Sequence, residues 1–154
     1  MTAAAVVRLP GDARRIDLGS FDVVVRADAD DTAGQFALIE TVEAESGIGP
    51  PLHVHLDCAE SFVVLAGRYA MYIGNAEYEC PAGTFVFIPK GTRHTFKNLD
   101  PGSRKLNLYT PAGMVGYFDE LAAGIAAGMT NADLDAIAKR NAMEVVGPIP
   151  QGYL

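Results

Sequence analysis

The sequence predicts an all-β domain, an antiparallel sandwich or small barrel, on three observations. Seven short runs rich in valine, isoleucine and aromatics recur along the chain. Turn-forming residues separate them, and no helical periodicity interrupts them up to about residue 110. The chain has 154 residues and is 49% hydrophobic, enough to bury one core and too little to make two domains. One domain is therefore expected, with N-terminal strands or arm over 1–34, a barrel core over 35–110, and helices and a tail over 111–154.

The elements follow in chain order. MTAAAVVRLPGD has no basic segment before its apolar run, which Pro10 breaks, so neither a signal peptide nor a membrane span is expected. FDVVVR and QFALIETVE are the first two strands, each a β-branched or aromatic run. GIGPPLHVH follows, a Gly/Pro stretch that no helix tolerates, leading into an extended pair of histidines. ESFVVLA and RYAMYI flank Gly67 as a hairpin would, TFVFIP runs into a Pro-Lys-Gly turn, and HTFKN and RKLNLYT complete the set. After Pro111 the pattern becomes helical in MVGYFDELAAGIAAG. A second helix over NADLDAIAKRNAMEV starts at Thr130, with Asp133 in place of the usual Glu of a capping box. Leu134, Ile137 and Ala138 share a face of that helix, and both helices are expected as a cover for exposed sheet.

Charge narrows the partners. The net charge is −7 and no Lys/Arg cluster exists, which argues against nucleic acid and anionic membrane and leaves a small molecule or another protein. Cys58 and Cys80 form no Cys-x-x-Cys pair and suggest no disulfide framework, so reduced thiols and a cytoplasmic location are expected.

Three histidines occur in the whole chain, and two of them are His53 and His55. Side chains alternate along a strand, so these two imidazoles point the same way. Glu60 lies five residues on, at odd spacing. The turn-like LDCA between them resets the register and can return Glu60 to the histidine side. A carboxylate opening so apolar a strand needs a partner if buried, and imidazoles around a cation supply one. His94 arrives from another strand, after the turn made by Pro89 and Gly91. All three histidines thus stand at strand ends beside Gly/Pro turns, which points to a shared metal.

The spacing Gly47, His53-x-His55, Glu60, Gly67 resembles the first motif of the cupins, and Gly83, Pro89-x-Gly91, His94, Asn98 resembles their second; both agree at every fixed position. DDTAGQFALIE and YTPAGMVGYFDEL, on either side, look like the flanks of single-domain cupins similar to the quercetin-dioxygenase group. The resemblance implies a conical jelly-roll barrel, a double-stranded β-helix of six to eight strands, carrying a short C-terminal helical extension. It also implies one divalent transition metal ion per chain, held by His53, His55, Glu60 and His94. Three nitrogens and one oxygen suit Fe, Mn, Ni, Cu or Zn, and the residues do not choose among them. A six-coordinate ion would keep two positions open.

Phe62, Val64, Tyr72, Phe85, Phe87 and Phe96 are candidates for an apolar substrate wall, with plain core as the alternative. Cys58, two residues before Glu60, reads as a small loop residue, with a supporting place behind the metal ligands as the alternative, and Lys90 and Arg93 as a solvated turn. The leading reading is a dioxygenase or other oxygenase acting on a small enolic or aromatic, flavonoid- or polyketide-like compound, with Glu60 as the catalytic carboxylate. A redox-neutral metal-dependent isomerase or cyclase, and a metal-containing binding module without turnover, are the alternatives. A homodimer is expected because similar barrels pair through an outer sheet face, often exchanging N-terminal strands; VVRLP and FDVVVR, with Leu9 and Val24, could serve here.

Overall fold

The computed structural model describes residues 4–153. Residues 1–3 of the expected arm and 154 of the expected tail lie outside the described residues. In order the elements are β1 (Arg14–Asp17), β2 (Asp22–Ala27), α1 (Ala29–Thr32), β3 (Ala37–Glu43), β4 (Leu52–His55), β5 (Ala59–Ala66), β6 (Arg68–Ile73), β7 (Ala76–Pro81), β8 (Phe85–Ile88), β9 (His94–Asn98), β10 (Ser103–Thr110), α2 (Met114–Ala126), α3 (Asn131–Arg140) and β11 (Met143–Gly147). Two antiparallel sheets result, one in the order β1-β2-β3-β10-β5-β8 and the other β11-β4-β9-β6-β7. This is a jelly roll with short helices near its C-terminal end.

Each of the seven hydrophobic runs holds a strand. Directly opposed residues of an antiparallel pair share a face, so the pairing builds interior rows across the six-stranded sheet. Ile88, Glu60, Tyr109 and Ala37 make one row, and Val86, Phe62, Asn107 and Ile39 the next. Phe62, Val64, Tyr69, Met71, Ile88 and Phe96 then pack between the sheets. Fully burying a side chain such as Phe62 contributes about 1.5–3 kcal/mol. A second cluster joins β2 and β3 to the helices through Val23, Ile39, Met114, Phe118 and Ile137.

The C-terminal region departs from expectation in two ways. The second helix does not run through Val145: Asn141 caps it, Ala142 turns left-handed at φ 55°, and Met143–Gly147 becomes a strand. The helical reading of AMEV yields to tertiary pairing, since Met143 and Val145 lie opposite His55 and His53 on β4. The start is as expected, with Thr130 accepting from the Asp133 amide and Asp133 accepting from the Thr130 amide. Nor do the helices serve only to cover sheet. α2 packs on β1 and β3, but both helices also face a cavity, described below. β1, β7 and the one-turn α1 have no strong hydrophobic run, which is why the sequence pattern does not announce them.

Candidate metal centre

The histidine strand is aimed by its approach. Pro50 and Pro51 bring the chain in extended form, and Gly49 passes so close to β9 that a Cβ there would land on the Phe96 carbonyl oxygen. Asn98, the last residue of the second motif, pins the preceding loop: its Oδ1 accepts from the Ile48 amide at 2.8 Å, and its carbonyl accepts from the Gly47 amide at 2.8 Å. Gly91 turns at φ +82°, where a side chain would be strained, and its amide donates to the His55 carbonyl at 2.7 Å. The turn ahead of His94 is thereby tied to the strand carrying His53 and His55.

His53 and His94 face each other directly across β4 and β9, with ring centroids 4.3 Å apart. The His55 ring lies 5.1 Å from His53 and 5.4 Å from His94. Glu60 comes from the other sheet, and its Oε2 stands 2.9 Å from both His55 Nε2 and His94 Nε2. One donor atom from each of the four buried residues falls within 4.8 Å of all the others.

This arrangement fits an ion. Ligand atoms each about 2.1 Å from a six-coordinate metal lie about 3.0 Å apart at right angles, close to the two nitrogen–oxygen separations seen here. The tautomers fit as well. His53 Nδ1 donates to the Pro51 carbonyl at 2.8 Å and His94 Nδ1 to the Thr92 carbonyl at 2.9 Å, which leaves each Nε2 lone pair free to point inward. Burial, reinforced by the neighbouring His94, lowers the His53 pKa to about 3, so its ring is neutral as a ligand must be. Burial also disfavours charge on His94, but the Glu60 carboxylate outweighs it and raises that pKa. Glu60 goes well below the carboxylate range, because bonds from His55 and His94 overcome the cost of burying it.

Around these four lie groups that the sequence reading missed. Asn107 donates from Nδ2 to Glu60 Oε1 at 3.2 Å, and Tyr109 stands directly opposite Glu60 in the β5–β10 register. Burial, and then the Glu60 charge, hold the Tyr109 phenol protonated. Below them Lys105, fully buried, donates to Thr41 Oγ1 at 2.6 Å, lies 3.6 Å from Glu43 Oε1 and sits 3.9 Å from the centre of the Phe96 ring. Tyr69 donates its hydroxyl to Glu43. The signal was present in RKLNLYT, where alternate positions carry Lys105, Asn107 and Tyr109 on the inward face of a strand.

All four candidate ligands except His94 line a cavity of about 530 Å³. Its far wall is Met114, Tyr117, Phe118 and Leu121 of α2 with Leu134 and Ala138 of α3, and Met143 and Val145 flank it. The expected substrate wall differs. Of the six candidates Phe96 lines this cavity; Phe62 and Val64 point inward but are consumed in the core between the sheets. Tyr72 packs against Tyr153. Phe85 and Phe87 alternate outward from the edge strand β8 and are 65% and 56% exposed, because Val86 and Ile88 take the inward positions. Cys58 is a buried core thiol, its pKa raised to about 12 by burial and the nearby Asp57 charge.

Comparison with known proteins agrees with this geometry. The family model for the cupin domain matches residues 39–106. A quercetin 2,3-dioxygenase of Bacillus subtilis is 28% identical over 107 residues, which cover 70% of this chain but only 31% of that protein, so the chain spans about a third of its relative's length. Among solved structures, KdgF from Halomonas sp. superposes with a TM-score of 0.63 at 14% identity, over 70% of this chain and 94% of that one. A nucleoside dehydratase from Streptomyces superposes with a TM-score of 0.61 at 10% identity, over 96% of this chain and 95% of that one. Two sheets, both motifs and a buried three-histidine, one-glutamate cluster agree with one assignment: residues 39–106 carry a cupin domain, in a chain that folds like the single-domain cupins.

Proposed function

We propose that the chain is a metal-dependent enzyme, an oxygenase acting on a small enolic or aromatic compound. The observation that carries this reading is the set of four buried donors, three of which line a largely apolar cavity whose size suits a drug-sized ligand. A bound transition ion would supply Lewis acidity toward a substrate oxygen and, if redox-active, reactivity toward dioxygen. The protein's own part is positional and acid–base. His53 and His94 are oriented by backbone carbonyls, the helices supply apolar wall to the cavity, and Glu60 accepts the proton of a substrate hydroxyl. The distant similarity to a quercetin dioxygenase supports the same chemistry.

A redox-neutral isomerase, cyclase or dehydratase reaction is the second reading, favoured by Tyr109. A phenol kept protonated beside Glu60 is a proton donor paired with a proton acceptor, as such reactions require. The test is oxygen uptake, and separately product formation under argon, over flavonoids, enols and polyketide-like aromatics. Uptake that needs both metal and Glu60, falling roughly a hundredfold or more in Glu60→Gln, is expected. Product under argon without uptake would replace the oxygenase by the second reading. Binding with no product would leave a binding module.

A cytoplasmic homodimer fits the same reading. Cys58 and Cys80 are free, buried thiols, which suits a reducing compartment. Among the described residues no helix is long and apolar enough to cross a membrane. On the outer face of the six-stranded sheet Val63, Leu65, Phe85 and Phe87 are exposed beside the unpaired edge of β8, and Val7 and Leu9 of the arm are also exposed, whereas Val24 is buried. Sedimentation at micromolar concentration should give a dimer that Phe87→Ser weakens; a monodisperse wild-type monomer would refute it.

A further inference from the structure

Asn107 is 2% exposed, and only half of its amide is used. Its Nδ2 donates to Glu60 Oε1 at 3.2 Å. The opposite orientation of the amide would set oxygen against a carboxylate that can only accept, so the assignment of nitrogen and oxygen is fixed by chemistry. Oδ1 therefore faces away from Glu60, and among the described residues no donor reaches it. A buried acceptor without a partner is costly, and buried polar side chains are nearly always satisfied by protein, water or ligand.

The surroundings say which of these completes it. Asn107 lines the cavity together with Glu60, His55, Phe96, Thr41 and Tyr109, and the Tyr109 hydroxyl, although it neighbours the Asn107 amide and Glu60, does not satisfy Oδ1. Thr41, whose hydroxyl accepts from Lys105 Nζ at 2.6 Å, lies out of hydrogen-bond reach of Oδ1. Among the buried side-chain atoms of the described residues lining this cavity two lack a partner: His55 Nδ1, which belongs to the candidate ligand set, and Asn107 Oδ1, an amide acceptor immediately beside it.

We infer that Asn107 is a specificity-determining residue: its Oδ1 accepts a hydrogen bond from a hydroxyl of the bound compound, a hydroxyl additional to the oxygens that engage the metal. The inference rests on the reading of the cavity as a metal-dependent small-molecule site, and it narrows the substrate class to polyhydroxylated aromatics or enols. Asn107 couples this recognition to the centre, because the same amide orients Glu60 through Nδ2. A site built to bond a hydroxyl rejects the analogue that lacks it more strongly than an apolar pocket rejects a missing methylene.

The test uses zinc-loaded full-length protein under argon, so that nothing is oxidised, with calorimetric binding of catechol, pyrogallol and hydroxyquinol. All three present the same adjacent pair of oxygens to the metal, and the last two add a third hydroxyl at different positions. The expected result is that one triol binds roughly tenfold or more tightly than catechol, the scale of one hydrogen bond to an otherwise unpaired buried group. In Asn107→Leu that ratio should fall to about one. The ratio cancels any change in zinc affinity, since every ligand depends on the same ion, and Asn107→Ala serves if the leucine variant fails to fold. Equal affinities in the wild type, as expected if a fixed water satisfies Oδ1, would overturn the inference while leaving the metal reading intact. So would a preference that survives both substitutions. Protein that takes up no zinc, measured beforehand, would remove the metal reading and this inference with it.

Discussion

Glu60 Oε2 lies 2.9 Å from His94 Nε2, although the two residues stand on different sheets and 34 positions apart in sequence. The pair closes the site: three imidazoles come from the five-stranded sheet and the single carboxylate from the six-stranded one. The centre therefore exists only where the two sheets meet, and its integrity reports on the packing of the whole barrel.

His94→Ala removes the ligand that faces His53 across the sheet. It should lower metal affinity by at least about a hundredfold, beyond the usual effect of losing an outer partner, while circular dichroism stays unchanged. The check is competition with a chromogenic chelator. Unchanged affinity would mean that the second motif contributes no ligand.

The two carbonyl-tethered histidines should titrate differently in metal-free protein. His94 has its pKa raised, so its charged form is favoured by folding; this stabilisation is complete below the unfolded value of about 6.5 and is lost as pH rises through the folded value. His53 is depressed to about 3 and stays neutral throughout that range. Metal entry near pH 6 should then displace a proton from His94 and none from His53. Nitrogen-15 spectra of the imidazoles decide it: a His53 ring charging above pH 5 would contradict the assignment.

Much of this was legible in the sequence because it lies in local spacing. The seven strands, the Thr130 cap and the convergence of His53, His55, Glu60 and His94 follow from alternation and from Gly/Pro turns. The cavity walls were not legible, because they depend on how α2 and α3 fold back over the barrel and on β11 pairing beside the histidines. Phe85 and Phe87 misled for a related reason: alternation says that neighbours face opposite ways, but only the pairing of Glu60 with Ile88 says which way is in.

Tyr109→Phe separates the two enzymatic readings. If Tyr109 donates a proton in a redox-neutral reaction, kcat should fall by roughly a hundredfold or more with KM little changed. For the oxygenase, the phenol does no more than border the cavity, and oxygen uptake should fall far less. Steady-state kinetics of the variant on whichever substrate turns over is the measurement.

Lys105 and Glu43 form a buried ion pair under the cavity floor, with Tyr69 bonded to Glu43. Lys105→Met leaves a buried carboxylate without its counter-charge and should destabilise by about 3–5 kcal/mol. Glu43→Gln, which keeps an acceptor for Tyr69, should restore much of that loss in the double variant. Urea unfolding of the two singles and the double tests it; additive losses would show that the two charges do not interact.

The central claim is that the four side chains hold a metal, and elemental analysis tests it most directly. Protein purified without added metal, then reconstituted anaerobically with Fe, Mn, Ni, Cu or Zn in turn and freed of excess, should carry about one first-row transition ion per chain. A double variant, His53→Ala with His94→Ala, should carry almost none after the same treatment. Wild-type protein that remains empty with all five metals, or a double variant that loads as fully as wild type, would contradict the account.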